Sequence, residues 1–319
     1  YLVPVVFGLI FVSGVVGNGS LMFIICRYKS MRNLPNLFVF NLALGDLFIL
    51  LFAVPFTSSI YTFDLWPFGE LVCKASEFAK DTSVSVSVFT LTALSFDRYN
   101  VIVNPVQSYV AGPKLKRRII FTLAAIWLAS LGLASPSAVF SRLIAVKLLQ
   151  TWNSSTVLLV RFCYPFPGKF GVDIHSKSVI VGRVLIQYLI PLAIIGTFYT
   201  ITTRNLLRKY KFLTYLANNN RESRRKVAVM VQCFVGLFAV CFLPIHVYSL
   251  WFHFDPRSKT RYNQYWHSFR IFGFVLAYIN SCINPIALYF ISTNFRKHFK
   301  RLLFCGWGIS DSITSDGRS

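Results

Sequence analysis

The chain is predicted to be an all-α membrane protein. The expected fold is a seven-transmembrane helix bundle with a short amphipathic membrane-surface helix after the seventh span and a β-hairpin in the second extracellular loop. Three observations predict this. The 319 residues are 55% hydrophobic and only 14% charged, with a mean hydropathy of +0.57, whereas a soluble domain carries about 25% charged residues. Seven apolar stretches each reach the length of roughly 20 residues that a helix needs to cross a bilayer. The basic residues then gather on alternate connections between those stretches, and that asymmetry sets an orientation.

The spans, with soft edges, are Val3 to Cys26, Leu37 to Ile60, Glu77 to Val103, Ile119 to Phe140, Val179 to Thr203, Val227 to Trp251 and Ser268 to Ile291. Short connections leave one compact bundle over residues 1–305, followed by a tail, 306–319, expected to be disordered. Because Tyr1 stands directly before the first span, an extracellular tail is expected ahead of it. The apolar start is too long and unbroken for a signal peptide.

Of the 33 Lys and Arg residues, 19 fall on the side of Arg27, Lys116, Arg225 and Lys297, and 12 on the other. Basic loops favour the cytoplasm, so the N-terminus is expected outside, with the plasma membrane as the location. A net charge of +22 would also suit nucleic acid, but this charge rings apolar spans and does not cover one soluble face. No nucleic-acid partner is expected.

Cysteine placement agrees with that orientation. Cys73 opens the third span on the outer side and Cys163 lies in the long loop after the fourth. They are the pair that shares the oxidising side, so a disulfide is expected. The same loop carries the sequon Asn153-Ser154-Ser155, a glycosylation acceptor; the matching Asn18-Gly19-Ser20 sits inside a span and is unreachable. Two runs in this loop read as strands, one with Leu143, Ala145 and Leu149 alternating against Ile144, Val146 and Leu148, the other Thr156 to Phe162. With a polar turn between them, they read as a hairpin over the extracellular mouth.

Ionisable and polar residues inside the membrane are costly and mark functional positions. Asp46 lies mid-span, with Ser87, Asn18, Asn280, Ser281 and Asn284 at comparable depth. Such oxygens can hold a small hard cation, or a protonated Asp46 can sit in a hydrogen-bonded cluster; spacing leaves both open. Asp97-Arg98-Tyr99 ends the third span at the inner surface. Pro191, Pro244 and Pro285 interrupt the fifth, sixth and seventh spans, and a proline inside a helix removes a hydrogen bond and kinks it. After the seventh span, Phe295, Phe299, Leu302 and Leu303 share one face, with Arg296, Lys297, Lys300 and Arg301 opposite. That pattern belongs to a helix lying on the inner leaflet, and Cys305 beside it is a palmitoylation candidate.

The ordered set of motifs resembles the rhodopsin-like (class A) G-protein-coupled receptors along essentially the whole chain. It comprises Gly17-Asn18, Leu42-Ala43-Leu44-Gly45-Asp46, Cys73, Asp97-Arg98-Tyr99, Trp127, Pro191, Tyr199, Pro244 and Asn284-Pro285. The run Ser83 to Tyr99 and the run Asn280 to Tyr289 are similar to bombesin-type peptide receptors, and endothelin receptors share part of the second run. The segments Glu77 to Thr82 and Tyr262 to His267 look closest to insect CCHamide neuropeptide receptors. Two positions depart from the wider family. Phe242 stands where a tryptophan is usual, two residues before Pro244, and Leu288 takes the place of the usual tyrosine after Asn284-Pro285, with Tyr289 following.

The resemblance implies a non-enzymatic receptor for an extracellular neuropeptide that acts on a heterotrimeric G protein, in the phospholipase C and calcium branch, with arrestin and a receptor kinase as further partners. It implies coupling or switching roles for Asp97, Arg98, Tyr99, Tyr199, Phe242, Pro244, Asn284, Pro285 and Tyr289, and a sodium ion at Asp46 with Ser87 beside it. No other cofactor is expected. The outer side counts 12 basic residues against six acidic ones, which favours a ligand with an acidic or carbonyl-rich face. Ligand contacts are expected from Lys80, Asp81, Arg183, His246, Trp266, Arg270, Phe272 and Tyr278. In the bland alternative, Lys80 and Asp81 offset one another while Arg183 and Arg270 reach for the surface.

Other classes fit worse. Retinal binding needs a lysine in the seventh span, which has none. An amine receptor would place an aspartate where Lys80 stands, although Asp81 is adjacent. A transporter would show an inverted repeat, and an intramembrane enzyme would need a nucleophile–base pair or metal ligands at depth, where His246 stands alone.

Overall fold

Helices dominate because apolar backbone in a bilayer must satisfy its own N–H and C=O groups. The computed structural model describes residues 2–63, 66–103, 112–149, 157–166, 172–212 and 218–304. Within these, the first span is Leu2–Arg27 and the second is Leu34–Phe52 continued by Val54–Phe63. The third is Gly69–Val103 and the fourth Gly112–Phe140. The fifth runs through Val172–Val184, Leu185–Leu189 and Ile190–Phe212, the sixth is Asn218–Phe254 and the seventh Gln264–Ile291.

Local sequence explains the ends and breaks. The Asn33 side chain accepts from the Asn36 N–H at 3.0 Å to start the second span, and Asn263 does the same for Trp266 at 3.2 Å to start the seventh, which satisfies donors left open at a helix N-terminus. The second span breaks at Ala53 (φ −126°), two residues before Pro55, which has no N–H for the Leu51 carbonyl and whose ring crowds that carbonyl. In the fifth span, Pro191 removes one backbone donor, and the turn just before it, Leu185–Leu189, widens to a π-helix. Such wide turns re-aim side chains and occur often at functional sites.

Six helices are long and apolar enough to cross a membrane on their own composition. The Gly69–Val103 helix is the seventh. At 35 residues it is about 50 Å long by helical rise, but its composition is too polar for the same test. The reason is position: it packs between the other spans, and Ser76, Thr82, Ser83, Ser85, Ser87, Thr90 and Ser95 are buried along it. Several of their hydroxyls return to backbone carbonyls a turn earlier, as Ser85 does to Asp81 at 2.8 Å and Ser95 to Leu91 at 2.7 Å.

Strands β1 (Arg142–Leu149) and β2 (Val157–Tyr164) form the expected antiparallel hairpin, with Leu143 opposite Cys163. Cys163 is disulfide-bonded to Cys73, Cα–Cα 5.5 Å, so the hairpin is held to the head of the third span. Trp66 adds a backbone hydrogen bond to Arg161 at 2.8 Å. At the opposite, basic end, Thr293–Phe304 forms the amphipathic helix. Phe295 is buried on it while Lys297, Lys300 and Arg301 are exposed. His298 stacks on Tyr28 of the first inter-span turn at 4.0 Å; burial, with Arg301 and Lys297 nearby, holds its imidazole below the ordinary histidine range.

Candidate functional site

The half of the bundle beneath the hairpin concentrates the charged residues. On the third span Glu77, Lys80 and Asp81 occupy consecutive turns, as an i, i+3, i+4 spacing requires. Lys80 pairs with Glu77 one turn above, and its ammonium lies 5.9 Å from the centre of the Phe274 ring on the seventh span. Asp81 looks the other way: its Oδ2 accepts from Arg183 on the fifth span and from the Ser137 hydroxyl on the fourth, and Arg183 Nη2 also donates to Ser137 Oγ at 3.0 Å. The ion pairs that Lys80 and Asp81 make are therefore with other residues and not with each other. Each takes its own partner, and Arg183 turns into the bundle toward a carboxylate instead of reaching the surface.

A second rung lies one turn deeper. Gln187 donates to Ser85 at 2.8 Å, and Ser85 donates to the Asp81 carbonyl at 2.8 Å. Asp81 and Ser85 are four residues apart, as are Arg183 and Gln187, so two helical faces meet twice. This ladder makes the third and fifth spans one unit. Phe166, just past β2, places its ring 5.9 Å from the Arg183 guanidinium and covers it from the hairpin side.

Aromatic residues carry the site downward. His246 stacks on Tyr188 at 4.6 Å and lies 6.4 Å from Phe242, which itself stacks on Phe238 at 4.6 Å. The Nε2 of His246 is buried without a hydrogen bond. Phe242 is thus buried directly beside the Pro244 kink. Tyr278 is almost fully buried; its hydroxyl donates to Thr57 at 3.2 Å and its ring meets Phe7 edge-on at 5.5 Å, so it seats the seventh span on the first two. Trp266 lies face to face with Trp251 at 3.5 Å. Arg270 reaches the Tyr248 hydroxyl, which also meets Tyr262, while its Nε is buried without a partner.

Phe272 does not join this cluster. Two residues from Phe274, it points about 200° around the helix at 100° per residue, and its side chain is exposed on the bundle's outer face. It leaves the expected set for that geometric reason.

Deeper, Asp46 is completely buried. It accepts from Asn284 Nδ2 at 2.7 Å and from Ser281, while Asn18 donates to the carbonyls of Ser281 at 2.7 Å and Gly14 at 2.9 Å. Asp46 Oδ1 and Asn18 Oδ1 are buried without a hydrogen-bond partner, and Ser87 is buried on the facing third span. Asn41 bridges Thr90 and Trp127 at 2.7 and 2.8 Å. A Cβ on Gly17 would come within 3.1 Å of the Pro285 ring, which is why the first span can lie against the broken turn of the seventh.

At the basic end Arg98 pairs with its neighbour Asp97, and the Tyr99 ring lies 5.4 Å from Phe198 on the fifth span. Tyr199 reaches the backbone at Gln232 on the sixth span. The extra residue after Pro285 has a visible result: Leu288 is buried in the core, and Tyr289 turns outward to meet Phe299 of the amphipathic helix edge-on at 6.0 Å. Asn153 and Cys305 lie outside the described residues.

Sequence reasoning missed Glu77, Ser85, Ser137, Gln187 and Tyr188. The matching four-residue spacings on the third and fifth spans were the available signal for the ladder; nothing local marked Ser137.

This architecture matches known proteins over most of its length. The family model described as "7 transmembrane receptor (rhodopsin family)" matches residues 17–289. The chain is 43% identical over 310 residues to the neuropeptide CCHamide-1 receptor of Drosophila melanogaster, covering 96% of this chain and 60% of that protein. It is 38% identical over 311 residues to the [Phe13]-bombesin receptor of Bombina orientalis, covering 95% of this chain and 76% of that one. The chain thus spans about three fifths of the length of its CCHamide-1 relative. With that family match over residues 17–289 and relatives at 43% and 38% identity, this chain belongs to the rhodopsin family of seven-transmembrane receptors.

Proposed function

We propose that this chain is a plasma-membrane receptor, N-terminus outside, for an extracellular neuropeptide, and that it passes agonist binding to a heterotrimeric G protein of the phospholipase C and calcium branch. The observation that carries this is a column running down from the mouth: the Asp81–Ser137–Arg183 network under the hairpin, Arg183 near enough to act electrostatically on His246, and then the His246–Tyr188–Phe242–Phe238 aromatic cluster, whose His246 and Phe242 flank Pro244. A peptide that contacts Lys80, Asp81, Arg183, His246, Trp266, Arg270 or Tyr278 changes the packing at the top of this column. The sixth span then swings on its proline and opens a crevice beside Arg98 and Tyr199 for a helix of the G protein. The relatives' printed names, a neuropeptide receptor and a bombesin receptor, support a peptide ligand.

The same reading includes glycosylation at Asn153, palmitoylation at Cys305, arrestin and receptor-kinase binding at the basic end, and a sodium ion at Asp46 in the resting state. The unpartnered oxygens of Asp46 and Asn18 are the donor type that a small hard cation takes. Screening neuropeptides for calcium release in cells expressing the chain tests the proposal. A peptide active on the wild type should still bind Arg98→Ala but release no calcium. Peptide binding with no calcium release in the wild type would defeat the coupling branch, and no response to any neuropeptide class would defeat the ligand class.

A further inference from the structure

We infer that the Tyr188 hydroxyl is a latch that holds the sixth span in its resting position, through the hydrogen bond it donates to the Ala239 carbonyl at 2.8 Å. The inference rests on the receptor reading above for its biological meaning, but its geometry does not need it.

Tyr188 lies in the π-helical turn Leu185–Leu189. That turn brings two successive side chains into the bundle, and both are buried. Gln187 goes to Ser85 on the third span and Tyr188 goes to the sixth. The Asp81–Arg183 and Ser85–Gln187 rungs already join the third and fifth spans into one body. Tyr188 therefore ties the sixth span to a rigid pair of helices, at a carbonyl five residues before Pro244. The other polar tie between the fifth and sixth spans described above is Tyr199 to the backbone at Gln232, about two turns closer to the basic end.

The position is also linked to the mouth. His246 lies against the Tyr188 ring at 4.6 Å, with Arg183 close enough to act on it electrostatically. A ligand group that moves Arg183 or His246 moves the ring whose hydroxyl forms the latch. Meanwhile Arg98 pairs with Asp97 on its own helix, a contact that does not bridge to the sixth span. A hydroxyl at mid-depth supplies such a bridge.

The test is Tyr188→Phe, which deletes one oxygen and keeps the ring against His246 and Phe238. Nitroxide labels at Val229 on the sixth span and Arg118 on the fourth, both exposed, would report sixth-span position by pulsed electron resonance. The background would carry Cys26→Ser, Cys233→Ser and Cys305→Ser so that the two introduced cysteines take the label, and the measurement would use purified protein in nanodiscs without peptide or G protein. Loss of one net hydrogen bond should raise the open population about three- to tenfold. Ligand-independent calcium signalling in cells should rise with it. A distance distribution that superimposes on the wild type overturns the latch, whatever the signalling. A shifted distribution without raised signalling leaves the latch standing and counts against the G-protein reading. Tyr188→Leu is the second variant and removes the ring along with the hydroxyl. It should shift the distribution no further than Tyr188→Phe does, and a shift more than twice as large would mean that ring packing holds the span, which also overturns the proposal.

Discussion

Removing both partners of the Asp81–Arg183 pair should cost less than the sum of removing each alone. The two side chains retain 13% and 24% of their exposure, so neither is in bulk water, and each loses its compensation if the other is neutralised. Breaking a buried pair costs about 3–5 kcal/mol, because it leaves an unpaired charge at low dielectric. Partial exposure puts this pair at the lower end, about 3 kcal/mol for Arg183→Gln, which strands the carboxylate with Ser137 as its remaining donor. Asp81→Asn should cost about 2 kcal/mol, since Asn keeps an oxygen for Ser137 but leaves the guanidinium uncompensated. In the double variant the two amides can bond one another, and the cost should fall below the sum by at least about 1.5 kcal/mol, within the range for residues sharing a network. Equilibrium unfolding of the purified protein in bicelles by SDS titration, without peptide, measures all four corners of the cycle. Additivity to within about 0.5 kcal/mol, or single variants as stable as the wild type, would refute the pairing and the ladder built on it.

Arg270→Glu should lower peptide potency at least tenfold while surface expression holds, because the Tyr248 hydroxyl that Arg270 reaches can donate to a carboxylate in its place; potency curves with cell-surface labelling decide it. Lys80→Glu should also weaken potency, and expression should fall as well, since it sets a second carboxylate beside Glu77. Gly273→Ala should destabilise by about 1–3 kcal/mol, as a Cβ there would meet the Ile245 backbone at 3.1 and 3.2 Å, and backbone cannot rotate away; thermal unfolding of the purified variant is the check. Replacing sodium with a large organic cation should raise agonist affinity in the wild type and leave Asp46→Asn unaffected, and equal responses in both would remove the sodium assignment.

Much of this molecule was legible without coordinates, and the physical reason is that the bilayer imposes its constraint residue by residue along the chain. The number of spans, the hairpin and its tether at Cys73–Cys163, and the amphipathic face of Thr293–Phe304 all follow from local apolarity, periodicity or the side of the membrane a residue occupies. Periodicity also says that Asp81 and Ser85 share a face. It does not say which neighbour that face meets, because rotation of one helix against another depends on packing among all seven. Only the tertiary structure joined Arg183 to an aspartate 102 residues away, left Lys80 to Glu77, turned Phe272 outward and Leu288 inward, and gave the Tyr188 hydroxyl a carbonyl on the sixth span. It also explained why the third span could be so polar: that helix packs against protein, several of its hydroxyls meet carbonyls a turn earlier, and the apolar composition demanded of lipid-facing helices does not apply to it.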